Sequence, residues 1–190
     1  MQFIIVTGLS GAGRSQALKR LEDMGYFCVD NLPPRLIPDF ARICLSDDIT
    51  RAATVVDMRM GSMFDDIFDT IQRLKEMDGV VLTILYLDAD DEALVRRFKE
   101  TRRRHPMARD GNITSGITRE RAKLRTIKDI ANHVVDTSTY SLKKLGEVLE
   151  QRFCDEADKG ILITVTTFGY KRGIPLDADM VFDMRFLPNP

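Results

Sequence analysis

The 190 residues carry 28 Lys and Arg against 29 Asp and Glu, a formal net charge of −1, and 44% of them are hydrophobic. This is ordinary soluble globular composition, with room for one full domain and a fragment of another; no apolar run is long enough to span a bilayer, and a core strand at the N-terminus leaves no place for a signal peptide. Three scattered cysteines and two histidines argue against a disulfide framework, a zinc site or His-rich metal catalysis and point to a reducing cytoplasm.

Residues 2–7 read as a buried strand. The string Gly8-Leu9-Ser10-Gly11-Ala12-Gly13-Arg14-Ser15 follows, and Ala17, Leu18 and Leu21 then mark one face of a helix reaching Met24. Strand, glycine-rich turn and helix in this order form a P-loop, with arginine where the motif has lysine. Inward-turned N–H groups and the positive end of the helix would bind phosphate there. Ser15 would offer a hydroxyl to Mg²⁺. Arg14 keeps the charge but is planar and larger than lysine, so nucleotide binding with impaired hydrolysis is expected. The competing reading is a tight strand-to-helix turn that holds no ligand.

Gly25 stops the first helix. Residues 26–29 form a short strand, the Asp30-Asn31-Leu32-Pro33-Pro34 turn enters a second helix, and residues 52–56 make a third strand ending at Asp57. Ser62 is a candidate cap for a helix with Phe64, Ile67, Phe68, Ile71 and Leu74 at helical spacing. The nearly continuous apolar run 80–87 predicts a strand covered on both faces. A helix with Leu94, Val95 and Phe98 follows. Residues 105–116 read as a mobile loop, residues 118–130 as a helix, 133–136 as a fifth strand, and Leu142, Leu145, Leu149 and Phe153 as a long last helix. The pattern predicts an α/β fold, a doubly wound parallel five-stranded sheet of nucleoside-kinase-like type over residues 1–158. Residues 160–190 read as the start of a second domain, with strands at 161–168 and 180–186, and the chain looks cut short there.

Ligands of such sheets lie beyond the carboxyl ends of the strands, where Asp30, Asp57 and Asp88 all fall. Mg²⁺ favours Asp57, because the third strand should neighbour the first; a loop-starting or helix-capping role is equally open, and Asp88 is the less favoured ligand. Asp30 and Asn31 suit either a phosphoryl acceptor's contacts or an Asx-turn. Arg102-Arg103-Arg104-His105 can form a lid over phosphates, a nucleic-acid backbone contact, or an exposed helix end that suits the dipole. Tyr170-Lys171-Arg172 offers a basic turn with one aromatic for RNA.

The strings from Gly8 to Ser15 and from Leu21-Glu22-Asp23-Met24-Gly25 through Asp30-Asn31-Leu32-Pro33 resemble RapZ-type nucleotide-binding proteins, the RNase adapter family. Arg102-Arg103-Arg104-His105-Pro106, Phe168-Gly169-Tyr170-Lys171-Arg172-Gly173 and Phe186-Leu187-Pro188-Asn189-Pro190 extend the similarity over essentially the whole chain. The resemblance implies ATP at residues 8–15 and GTP at Asp57-Met58-Arg59-Met60, with slow Mg²⁺-dependent hydrolysis. It also implies a C-terminal domain that in some members presents small regulatory RNA to an endoribonuclease, and a homo-oligomer. Arg14 and the short C-terminal part depart from the family pattern. A cytoplasmic nucleotide-binding regulator is therefore the leading expectation, with an RNA-binding adapter and a small-molecule kinase as rivals.

Overall fold

The computed structural model describes residues 1–57, 66–102, 104–108 and 111–154, together with 165–169, 171, 173–176, 178–183 and 186 in the C-terminal part. Two units are distinguished, Met1–Asp158 and Lys159–Pro190.

Among the described residues of the first unit, five strands and six α-helices follow one another: β1 (Gln2–Gly8), α1 (Arg14–Asp23), β2 (Phe27–Val29), α2 (Ile37–Ser46), β3 (Arg51–Val55), α3 (Ile67–Lys75), β4 (Val81–Asp88), α4 (Asp91–Thr101), α5 (Ile113–Asp129), β5 (His133–Asp136) and α6 (Leu142–Phe153). The strands lie in the order β2-β3-β1-β4-β5, all parallel. A chain leaving β1 must reach the far edge at β2 before β3 fills the gap, and the β3-to-β4 crossover then passes β1. The carboxyl ends of β3, β1 and β4 therefore stand side by side, with Val6 opposite Val55 and Gly8 opposite Leu87. The third strand is the neighbour of the first, as the sequence predicts.

The core explains why these segments became strands. Phe3, Ile4, Ile5 and Val6 of β1 and Ile84, Leu85, Tyr86 and Leu87 of β4 are all buried, as helices on both faces of a parallel sheet require. Helices contribute one stripe each, such as Ala17, Leu18 and Leu21 from α1 or Leu124 and Ile127 from α5. Burying an aliphatic side chain of this size contributes about 1.5–3 kcal/mol.

Three expectations need correction. Helix α5 begins at Ile113, inside the stretch read as a loop, because the Asn112 side chain caps it by accepting from Ser115 N–H. His105 is not part of an exposed basic cluster but is 3% exposed and packed against α5. It fits because residue 116 is glycine: a Cβ there would lie 2.5 Å from His105 Nδ1. In the second unit, the described parts of the two expected strands, 165–168 and 180–183, run as irregular backbone. Val165, Leu176, Met180, Phe182 and Phe186 of that unit are exposed. Ser62, Phe64, Met58, Arg59, Met60, Arg103, Tyr170 and Arg172 lie outside the described residues.

Candidate functional site: the loop between β1 and α1

Gly8 ends β1 at φ +131°, and a Cβ there would meet the Leu87 carbonyl oxygen at 2.1 Å. No side chain is compatible with that approach, so β1 can turn across the end of β4 only through glycine. The loop is then fastened. Leu9 N–H donates to Leu87 O at 3.0 Å and Ala12 N–H to Leu9 O at 3.0 Å. The carbonyls of Gly11 and Ala12 are held from α4 and from the residue after β5: Arg97 Nη1 donates to Gly11 O at 3.1 Å, and the Thr137 hydroxyl lies 3.0 Å from the carbonyls of both Ala12 and Asp88. Arg97 also reaches Thr137 Oγ1 at 3.1 Å. Burial, and then the neighbouring Arg96, pull the Arg97 pKa down.

Gly13, with φ +101° and ψ 18°, is the left-handed residue from which α1 starts. From there the donors change character. The N–H groups of Gly13, Arg14 and Ser15 have no acceptor among the described residues, as expected at a helix start. The first turn of α1 contains no acidic residue, and Ser15 is exposed, its hydroxyl without a partner among the described residues.

Arg14 turns inward instead of toward this open end. Its Nη2 lies 3.2 Å from Asp57 Oδ2 and 3.3 Å from Ser10 Oγ, and Nη1 lies 3.4 Å from Val56 O. The pair is buried, with side chains 9% and 4% exposed. The sequence predicts Arg14 on phosphate and Asp57 on Mg²⁺; in the fold the two neutralise each other. Asp57 is placed there because Val56 N–H continues the β3–β1 ladder to Val6 O at 3.0 Å.

Ser10 makes the contact that the sequence did not foreshadow. Its N–H donates to Glu120 Oε2 at 2.9 Å and its hydroxyl to Glu120 Oε1 at 2.7 Å. Glu120, on α5, is 0% exposed. His105 Nε2 lies 3.2 Å from Glu120 Oε2, and Met107 N–H donates to His105 Nδ1 at 3.2 Å. A ring nitrogen that accepts cannot carry the proton, so Nε2 holds it and donates to Glu120. The only local sign of Glu120 was an acidic residue between Arg119 and Arg121, and such alternation usually reads as a solvated helix face.

The remaining candidates fall elsewhere. Asp88 accepts from Arg121 Nη1 at 2.8 Å and Lys128 Nζ at 2.7 Å, an ion-pair cluster that ties α5 to the end of β4. Burial, and then Asp88, push the Tyr86 phenol pKa up. Asp90 caps α4 through Ala93 N–H at 2.6 Å. Asp30 is exposed and followed by Asn31 at φ 55°. Arg102 ends α4 in the left-handed region and, like Arg104, is exposed. Lys171 is exposed in the second unit. The described residues hold no cluster of three or more His, Cys, Asp or Glu suited to a metal ion, and no helix among them is long and apolar enough to cross a membrane.

Comparison with known proteins places these features in context. The RapZ-like N-terminal domain model matches residues 1–157, and the RapZ C-terminal domain model matches residues 161–190. A protein named nucleotide-binding protein from Clostridium botulinum strain Eklund 17B is 53% identical over all of this chain, and one from Clostridium acetobutylicum is 50% identical. The chain spans 66% of the length of each of these relatives. Among solved structures, a sugar kinase from a Janibacter species aligns with TM-score 0.54 at 16% identity, covering 80% of this chain and 93% of that one. Shikimate kinase from Acinetobacter baumannii in complex with shikimate aligns with TM-score 0.50 at 14% identity, covering 78% and 91%. These two likenesses concern the fold, which is that of the P-loop kinases.

Proposed function

The chain belongs to the RapZ-like N-terminal domain family, and on that premise we propose that it binds ATP at residues 8–15 and GTP at the segment Asp57-Met58-Arg59-Met60, each with Mg²⁺, and that the bound nucleotide regulates it. One observation carries the reading: the N–H groups of Gly13, Arg14 and Ser15 open a helix and have no acceptor among the described residues. Such a terminus attracts anions through its donors and its dipole. That the Clostridium relatives are named nucleotide-binding proteins agrees with it.

The residues suit an ion carried by the phosphates better than one held by the protein alone. Ser15 offers an exposed hydroxyl at the open end, whereas Asp57 is paired with Arg14. When bound with a nucleotide, Mg²⁺ neutralises charge on the phosphates. Arg14 can contribute to phosphate binding only by exchanging Asp57 for the ligand, which fits weak hydrolysis at most. Asp57 is the one member of the proposed GTP segment Asp57-Met58-Arg59-Met60 within the described residues.

A second reading, an adapter that presents small regulatory RNA to an endoribonuclease, is favoured by the match of residues 161–190 to the RapZ C-terminal domain. Calorimetric titration of ATP and GTP, with and without Mg²⁺, tests the first reading. Mg²⁺-dependent affinity that falls about tenfold on Ser15→Ala is expected. Failure of both nucleotides to bind, alongside RNA affinity with a steep salt slope, would favour the second.

A further inference from the structure

At the Ser10–Glu120 contact a negative group already takes up backbone and hydroxyl donors of the loop. Glu120 is fully buried and accepts three hydrogen bonds, from Ser10 N–H at 2.9 Å, Ser10 Oγ at 2.7 Å and His105 Nε2 at 3.2 Å. A carboxylate bonded to a loop amide and a loop hydroxyl uses the same donors a phosphate oxygen uses.

The position of these donors along a nucleotide follows from Arg14. The side chain at this point of the motif reaches the β- and γ-phosphates, and Arg14 Nη2 lies 3.3 Å from Ser10 Oγ. Ser10 therefore faces the distal end of a bound polyphosphate, while the open N–H groups of Gly13, Arg14 and Ser15 face its proximal part. Among the described residues, two carboxylates, Glu120 and Asp57, already stand at this end beside the Arg14 guanidinium.

We propose that Glu120 is a specificity-determining residue of this site: its carboxylate holds the Ser10 donors that a terminal phosphate needs, so the loop accepts a nucleoside diphosphate directly and a triphosphate only when Glu120 withdraws. The proposal rests on the nucleotide reading above. His105 is the positioning residue behind it. Its protonated Nε2 faces Glu120, its ring lies 4.9 Å from that of Phe98, and a Cβ on Gly11 would stand 3.3 Å from Phe98 Cε2. Loop, α4, residues 104–108 and α5 thus form a closed chain of contacts. Withdrawal of Glu120 removes the acceptor of His105 and loosens the segment that carries Arg104, while Arg121 and Lys128 continue to hold α5 to Asp88.

The test uses the ¹⁵N-labelled full chain, titrated with ADP and with ATP at one fixed Mg²⁺ concentration, as wild type and as Glu120→Gln. In the wild type, both nucleotides should move the amide resonances of Gly13, Arg14 and Ser15, and only ATP should move that of Ser10. Glu120→Gln keeps the shape and an acceptor for Ser10 N–H while removing the charge; it should raise ATP affinity about tenfold relative to ADP. Equal movement of Ser10 by both nucleotides, or a Glu120→Gln protein with unchanged selectivity or weakened ATP binding, overturns the assignment to Glu120 while leaving the phosphate site standing. Loop amides unmoved by either nucleotide in both proteins would remove the site and the inference together. The wild-type arm decides the question even if the variant fails to fold.

Discussion

The two halves of the 8–15 loop have opposite fates. From Gly8 to Ala12 the backbone is fastened to the protein: Leu9 to β4, Ser10 to α5, Gly11 to α4, and Ala12 to the residue after β5. From Gly13 to Ser15 the donors meet no protein acceptor among the described residues. The contrast shows how a site of this kind is built. A set of open amides is useful only if the preceding turn cannot collapse to satisfy them, and here four elements prevent that collapse.

Changing the fastened half should do the largest damage. Gly8→Ala forces a Cβ against the Leu87 carbonyl at a backbone angle alanine avoids, and should cost about 4 kcal/mol or more in urea unfolding. Asp57→Ala leaves the Arg14 guanidinium buried without its carboxylate and should cost about 3 kcal/mol. A loss under about 1 kcal/mol would show that the pair is solvated in solution. Thr137→Val removes the hydroxyl between Ala12 O and Asp88 O; about 1 kcal/mol is expected, together with faster hydrogen exchange at Ala12. Ser15→Ala, in the open half, should leave stability within about 0.5 kcal/mol, so that any fall in nucleotide affinity belongs to binding and not to folding.

Acid sharpens the same comparison most gently. His133 in β5 has its pKa lowered from the model-compound value of 6.5 by burial and then by Arg152, and Asp136 has its own lowered from 3.8 by the side-chain and backbone hydrogen bonds of Ser138. Both groups bind protons less readily when folded than when unfolded. Their contribution is therefore full above pH 6.5 and is lost as pH falls, first through His133 and then, below 3.8, through Asp136. Since Thr137 follows β5 directly, thermal melts at stepped pH should show a small early loss that His133→Gln abolishes.

Local patterns carried the fold. Continuous apolar runs marked β1 and β4, and the glycines before Arg14 marked the turn, because each signal lies within a few residues of what it determines. The site was only half legible. The position of Asp57 beside the loop follows from strand order, but its capture by Arg14 depends on side-chain reach across the β1–β3 pair. Glu120 meets Ser10 across 110 positions of chain, and nothing near either residue encodes the other. Helix α5 was read as starting late because glycine at 116 looks like a loop signal, when it is instead the space His105 occupies.

The central place of β1 also bears on how the chain matures during synthesis. Its residues are made before both of their partners, Arg51–Val55 on one side and Val81–Leu87 on the other. At about 5–20 residues per second, translation takes roughly 4–16 s to supply the second partner. Throughout that interval Phe3, Ile4, Ile5 and Val6 have no completed sheet to enter. A nascent chain stalled before residue 81 should therefore be a chaperone client, and one released beyond α6 should not.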